Sequence, residues 1–187
     1  MIVCFYATIQ YMLYIYIFSF IFFLAILFIG GLSAAPYVPT KKNQVNFLLD
    51  NISLKPNELI LELGCGTGSV LFPMAQKFPQ TKFVGFEIAP LPFLISWIKS
   101  FKYPNVKVQL KNIFKVNYNQ ADTIFIFLLD DCYPKLIKKM QSECKNNCQI
   151  ITEAWALPNI TPTKKIKEDN LLSVYFYSTD NLKTQIE

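Results

Sequence analysis

Apolar residues are spaced in two ways along this chain, and the first is an unbroken run near the amino terminus. Residues 11–32, YMLYIYIFSFIFFLAILFIGGL, contain no charged side chain, and no Asp, Glu, Lys or Arg occurs before position 41. A helix of roughly 20 apolar residues crosses a hydrocarbon core of about 30 Å. We therefore expect a transmembrane helix over about 11–32, ended by Gly30, Gly31 and Pro36.

The same run admits a second interpretation, a secretory signal peptide cleaved near the small residues 33–35. Signal peptides begin with a positive region and carry a shorter apolar core, and this sequence has neither property. We therefore favour a retained single-pass anchor over residues 1–35. Lys41 and Lys42 follow it directly, so the positive-inside rule places the rest of the chain on the cytoplasmic, or mitochondrial matrix, side of the membrane.

From position 42 onwards, short apolar runs alternate with segments whose apolar residues recur every three to four positions. Such runs predict buried strands, and the longer period predicts helices. Helices are expected over 42–51, 69–77, 91–101 and 133–144, and strands over 59–63, 82–87, 106–110, 122–129, 149–152 and 171–177. This alternation predicts an α/β, Rossmann-like domain over residues 36–187 with a mostly parallel central sheet.

Charge and cysteine content narrow the chemistry. The net charge of +5 comes from scattered lysines, which fit a solvated surface or attraction to anionic lipid headgroups. No nucleic-acid-binding motif accompanies them, so no nucleic-acid partner is expected. The five cysteines lack CxxC spacing and the chain has no histidine, so we predict reduced thiols and no metal site. The missing histidine also removes the commonest general base.

A glycine-rich segment, ELGCGTG, follows the first predicted strand directly and covers Glu62 to Gly68. In open α/β sheets, ligands bind beyond the carboxyl ends of the strands where the strand order reverses. The G-x-G-x-G spacing lets the backbone approach a ligand closely, whereas a dinucleotide site needs G-x-G-x-x-G and position 69 is Ser. A carboxylate at Glu62 would repel a pyrophosphate and could hold a cationic amine.

Polar residues also end the second and third predicted strands. Glu87 lies where an acidic side chain can accept hydrogen bonds from two ribose hydroxyls. Asn112 lies where a side chain could bond the edge of a base, with Ile113 packed on its ring. Each position alone fits a plain tight turn or a solvated strand end. Their joint placement on successive strand ends predicts a nucleoside ligand.

The pattern resembles class I methyltransferases from Lys42 to about Glu153, and ELGCGTG is a specific match to their first motif. With the apolar run and residues 35–40, APYVPT, the resemblance extends from about Pro36 to Tyr177. The chain then resembles the membrane-anchored protein-lysine methyltransferases of the mitochondrial type, which modify the c-type proteolipid of ATP synthase and the adenine nucleotide translocator, and their bacterial relatives.

The resemblance implies that S-adenosyl-L-methionine is the cofactor and that the substrate is an integral membrane protein beside the lipid bilayer. The implied cofactor-binding residues are Tyr37, Thr40, Glu62, Gly64, Cys65, Gly66, Gly68, Glu87, Ile88, Asn112 and Ile113. Three of them depart from the family pattern, because Glu62 stands for Asp, Cys65 for Ser and Asn112 for Asp. The last change puts the polarity of a hydrogen bond to adenine in doubt, since an amide both donates and accepts.

Methyl transfer is a direct displacement in which positioning of the acceptor supplies most of the catalysis, and no metal is required. Asp130, with Asp131 beside it, follows the fourth predicted strand and is the candidate catalytic residue that contacts an acceptor amine. The alternative is that both only begin the next helix. Three functions fit: methylation of a lysine in a membrane protein, methylation of a lipid or small molecule such as a quinone precursor, and a non-catalytic assembly factor that binds the cofactor.

Overall fold

The computed structural model describes the backbone of residues 2–31 and 39–184 and the side chains of residues 9–25 and 39–184. Its helices are α1 Ile2–Gly31, α2 Lys42–Asn51, α3 Leu71–Lys77, α4 Pro90–Ser100, α5 Tyr133–Glu143 and α6 Thr179–Thr184. Its strands are β1 Leu59–Leu63, β2 Lys82–Glu87, β3 Val106–Leu110, β4 Thr123–Ile126, β5 Gln149–Glu153, β6 Lys164–Ile166 and β7 Val174–Ser178. Short 3-10 turns cover Ile113–Lys115 and Asp130–Cys132.

The strands form one sheet in the order β3-β2-β1-β4-β5-β7-β6. The first five strands run parallel, and β7 is antiparallel to both of its neighbours. The predicted Rossmann-like α/β fold with a mostly parallel sheet is thereby confirmed. Strand order reverses between β1 and β4, so the carboxyl end of β1 opens onto the crevice where such sheets bind ligands.

The apolar core lies on both faces of the sheet. One cluster packs α5 against the sheet through Leu136, Ile137 and Met140, which are at most 4% exposed. The other packs α2 and α3 on the opposite face. Each fully buried aliphatic side chain contributes about 1.5–3 kcal/mol. The central strands are therefore held rigidly, and the loops at their carboxyl ends start from fixed positions.

The structure differs from the sequence prediction where the pattern continues past the ladder. The fourth strand ends at Ile126 rather than at 129, because its partner in β1, Leu63, is the last strand residue before the glycine loop. The short strand β6 was not predicted, since KKI lacks an alternating pattern long enough to detect. Helix α6 was also missed, because six residues leave little periodicity to read.

Helix α1 carries the apolar amino-terminal run, and its side chains from Ile9 to Ala25 are all exposed. Among the residues with described side chains, no helix combines the length and the apolarity that crossing a membrane requires. The predicted transmembrane segment 11–32 and the anchor 1–35 extend outside those residues, so both stay predictions. Predicted site residue Tyr37 also lies outside the described residues.

Candidate functional site

The loop after β1 depends on backbone conformations that favour glycine. Gly64, Gly66 and Gly68 all have positive φ angles, of 78°, 53° and 78°. A Cβ atom on Gly64 would lie 2.6 Å from a methyl group of Leu128, and one on Gly68 would lie 2.2 Å from the ring of Phe72. Both the conformation and the close packing therefore exclude larger residues at these two positions.

Backbone hydrogen bonds fix this loop against β2. The N–H groups of Gly64 and Cys65 both donate to the carbonyl of Phe86, at 2.9 and 3.0 Å. The Cys65 side chain is 3% exposed, and burial followed by the charge of Glu62 raises the pKa of its thiol. We infer that Cys65 packs the loop onto the sheet and does not act as a nucleophile, because the thiolate is the reactive form.

Glu87, at the end of β2, holds the same loop from the other side. Its Oε2 accepts a hydrogen bond from Gly66 N–H at 2.8 Å, and its Oε1 accepts from the N–H groups of Ile88 and Ala89 at 2.7 Å each. A carboxylate has about four acceptor positions, so one remains on Oε2. Glu87 is thus preorganised at the ribose position predicted from the sequence, with capacity for one further donor.

Four buried polar atoms near the carboxyl ends of β1 and β5 accept or donate no hydrogen bond among the described residues. They are Oε2 of Glu62, both carboxylate oxygens of Glu153 and the hydroxyl of Tyr133. Burial, with the charges of Glu153 and Glu87 added, raises the pKa of Glu62 well above its ordinary value. Burial raises the pKa of Glu153 from 4.5 to about 7, an effect that the Gln44 amide partly offsets. Burying unpaired carboxylates is costly, so this cluster suits a cation.

The two carboxylates share one face of the sheet. Parallel pairing puts Glu62 opposite Phe125 of β4, and Phe125 opposite Ile151 of β5. Glu153 lies two residues beyond Ile151 and so points to the same side. Helix α2 covers that face and contributes Gln44, which is 4% exposed.

Gln44 is held in place by the loop before β7. Its side chain donates to the carbonyl of Leu172 at 3.2 Å and accepts from the N–H of the same residue at 2.8 Å. Thr40, just before α2, donates its N–H to Ser69 Oγ at 3.3 Å. The segment that precedes the domain's first helix therefore reaches the glycine loop, as predicted for Thr40.

The predicted base-edge residues lie beyond β3. The Asn112 side chain caps the 3-10 turn by accepting from Phe114 N–H at 2.9 Å. This leaves its amide N–H₂ as the group that could bond a base. Ile113 is only 7% exposed, and its carbonyl accepts from the Tyr118 hydroxyl at 2.6 Å. Ile88 is partly buried beside Glu87.

Asp130 and Asp131 occupy the first turn of the 3-10 segment that leads into α5, and both are exposed. This placement fits the helix-starting role, because carboxylates are favourable at helix N-termini. It also leaves Asp130 accessible to an acceptor at the carboxyl end of β4. Its catalytic role stays a prediction.

Sequence reasoning missed Glu153, Tyr133 and Gln44. A signal existed for Glu153, because QIITE is an apolar strand that ends in a carboxylate, just as KFVGFE does at Glu87. Tyr133 and Gln44 gave none, since both lie on predicted helices whose orientation the sequence leaves open.

Comparison with known proteins agrees with this geometry. The sequence profile described as the ANTKMT methyltransferase domain matches residues 62–164. A protein-lysine N-methyltransferase of Saccharolobus islandicus is 27% identical over 148 residues, which cover 76% of this chain and 92% of that protein. The lysine N-methyltransferase of Rattus norvegicus that is named for the C-type subunit of ATP synthase is 24% identical over 80% of this chain and 69% of its own length. For the Xenopus laevis protein of the same name these values are 24%, 68% and 56%.

Among solved structures, an RNA methyltransferase from Salinibacter ruber in complex with S-adenosyl-L-homocysteine aligns with a TM-score of 0.71. The alignment covers 76% of this chain and 94% of that one, at 18% identity, and is a likeness of fold. The fold and the glycine-loop site are those of a class I methyltransferase that depends on S-adenosylmethionine. The chain belongs to the ANTKMT methyltransferase family.

Proposed function

We propose that this enzyme methylates a lysine side chain of an integral membrane protein. The observation that carries the proposal is the buried pair of carboxylates, Glu62 and Glu153, which lack a cationic partner beside the glycine loop. Ammonium groups are the natural counter-ions of such a pair, and both the cofactor and a lysine acceptor bring one. The names of the Saccharolobus, rat and Xenopus relatives, each a lysine N-methyltransferase, support the same acceptor.

The residues divide the cofactor between three strand ends. Glu62 would hold the ammonium of the methionine part, and the glycines would allow the backbone to approach it. Glu87 would accept a ribose hydroxyl with the position left on Oε2. The adenine would lie between Ile88 and Ile113, with Asn112 at its edge. When bound, the cofactor supplies a methyl group activated by a positive sulfonium.

The orphaned atoms and the glycine loop fit this cofactor. Tyr37 and Thr40 would cover it from the segment before α2, and the contact of Thr40 with Ser69 already brings that segment to the loop. Cys65 would contribute its backbone, since its side chain is buried against the sheet.

On the acceptor side, the amine must be neutral before it attacks. The chain has no histidine, so the proton must leave to a carboxylate or to water. Asp130 is exposed at the carboxyl end of β4, where an incoming lysine can reach it. Its role would be to orient the amine and to accept its proton, which is ordinary general-base work for a carboxylate.

The membrane part of the proposal assigns residues 1–35 to an anchor, with the helix over about 11–32, and residues 36–187 to the catalytic domain on the cytoplasmic or matrix side. Its support is the absence of charge before Lys41. Confinement to the bilayer raises the effective concentration of a membrane-bound acceptor.

Incubation of membranes with methyl-labelled S-adenosylmethionine tests this function. We expect label in a protein band whose hydrolysate contains methylated lysine, and no label when Gly68→Ala replaces the wild type. Label in the lipid extract would instead establish a lipid or small-molecule methyltransferase, and label in RNA would establish an RNA enzyme. Cofactor binding without any transfer would point to a non-catalytic assembly factor.

A further inference from the structure

Helix α4 packs in the opposite sense to an ordinary surface helix. Its one buried residue is Ser96, at 0% exposed. Its large apolar side chains are instead turned outwards, with exposures from 38% to 71% when Phe101 at its end is included. They are Leu91, Leu94, Ile95, Trp97, Ile98 and Phe101. A contiguous set of this size marks an interaction surface on a folded domain.

Local bonding keeps the polar side of α4 inwards. The Ser96 hydroxyl lies within hydrogen-bond distance of the carbonyls of Pro92 and Phe93, at 3.0 and 2.9 Å, so its burial leaves no polar group unsatisfied. On the outer side, the rings of Trp97 and Phe101 meet edge to face with centroids 4.9 Å apart. The exposed face is therefore an ordered surface, which we call the α4 face.

The charge around the α4 face indicates its partner. Residues 88–121 contain five lysines and no Asp or Glu, and all five lysines are exposed. They are Lys99, Lys102, Lys107, Lys111 and Lys115. The other 13 of the 18 basic residues are matched by the 13 acidic residues of the chain, so this segment carries the whole net charge of +5.

We propose that the α4 face lies on the surface of a bilayer containing anionic lipids. Apolar and aromatic side chains flanked by lysines are the composition of helices that bind in the plane of the membrane interface. Tryptophan in particular favours the headgroup level. Helix α1 contacts α4, and its described side chains are also apolar and exposed, so the two elements form one continuous membrane-facing surface.

The contact also bears on the candidate site. Lys99 donates from Nζ to the carbonyl of Thr67 in the glycine loop at 3.3 Å. The loop is thus joined directly to α4, and the contact would hold the site at a fixed distance from the lipid. The proposal deepens the proposed function by giving the catalytic domain its own lipid contact, and it does not depend on which acceptor is methylated.

The chain's two tryptophans supply a matched pair of probes. Trp97 is 42% exposed and Trp155 is 46% exposed. In full-length Trp155→Phe only Trp97 fluoresces, and in Trp97→Phe only Trp155 does. Both variants are reconstituted into phosphatidylcholine vesicles with and without phosphatidylserine, in which brominated acyl chains quench tryptophans that reach the membrane. We expect Trp97 to be strongly quenched when phosphatidylserine is present, and Trp155 to be quenched little.

Equal quenching of the two tryptophans, or none of Trp97, would overturn the proposal. So would a blue shift of Trp97 emission that follows protein concentration at constant lipid, which would place a second copy of the chain on the α4 face. Lys102→Glu should weaken attachment of the face to the lipid by about fivefold or more, since each lysine near an anionic surface contributes about that factor. Methyl transfer does not enter this readout, so its outcome is separate from that of the labelling experiment.

Discussion

Replacing Glu153 with glutamine tests whether the buried carboxylate cluster destabilises the enzyme while the cofactor is absent. Glu153 is fully buried, and its two oxygens accept no hydrogen bond among the described residues. Glutamine keeps the size of the side chain and removes its ability to ionise. The change therefore isolates the cost of charging this position, with little disturbance of packing.

The magnitude follows from the pKa of Glu153, which burial raises from 4.5 to about 7. Between these values the folded protein keeps the proton and the unfolded chain has released it. The unfolded state then binds fewer protons, so the free energy of unfolding falls as pH rises. One pKa unit is worth 1.36 kcal/mol, so the loss approaches about 3 kcal/mol and is complete above about pH 7.

Urea unfolding of the ligand-free enzyme, followed by tryptophan fluorescence from about pH 5 to about pH 8, measures this loss. We expect wild type to become less stable over that range and Glu153→Gln to lose most of the decline, with the remainder due to Glu62. Glu168→Gln is the matched control, because Glu168 is exposed, and it should follow wild type. Parallel pH profiles for wild type and Glu153→Gln would refute the reasoning.

Three further changes test the candidate site. Gly68→Ala forces a φ of 78° on a larger residue and pushes a methyl group into the ring of Phe72, so we expect a loss of about 2 kcal/mol, seen as a melting temperature lower by roughly 5 °C. Glu87→Gln removes one charge-assisted acceptor from the loop and should weaken cofactor binding about 10- to 100-fold by calorimetry; unchanged affinity would remove Glu87 from the site. Asp130→Asn should lower turnover about 100-fold with the cofactor dissociation constant nearly unchanged, whereas a collapse of cofactor binding would show that its assignment is wrong.

The sheet could be predicted from sequence because its strands carry the signal themselves. The bounds of β1, β2 and β3 agree residue for residue with the predicted strands, since each is a short apolar or alternating run closed by a turn. The strand after Asp122 was predicted too long, because the residues after Ile126 stay apolar although the chain has left the ladder. Hydrophobic pattern identifies a buried segment but does not say where its hydrogen bonding stops.

The candidate site was predictable only where one element carries it. The glycine loop and Glu87 lie next to each other through a strand pair, and both have a local motif. The cluster of Glu62 with Glu153 joins two strands separated by β4, so it exists only after the sheet has formed. Its unpaired carboxylates also break the rule that buried charges are partnered. Such violations are expected at functional sites, where a ligand completes the pairing.

Helix α4 shows the same limit for surfaces. Its sequence, PLPFLISWIKS, is apolar around most of the helix, so periodicity predicts a helix without choosing its inner face. Only the fold reveals that Ser96 points inwards and that Trp97 points outwards. If the α4 face rests on lipid, the bond from Lys99 to Thr67 keeps the glycine loop within about one helix diameter, roughly 10 Å, of the headgroups. A lysine acceptor must then lie close to the membrane surface, which a segment leaving the bilayer satisfies and a residue deep in a soluble partner does not.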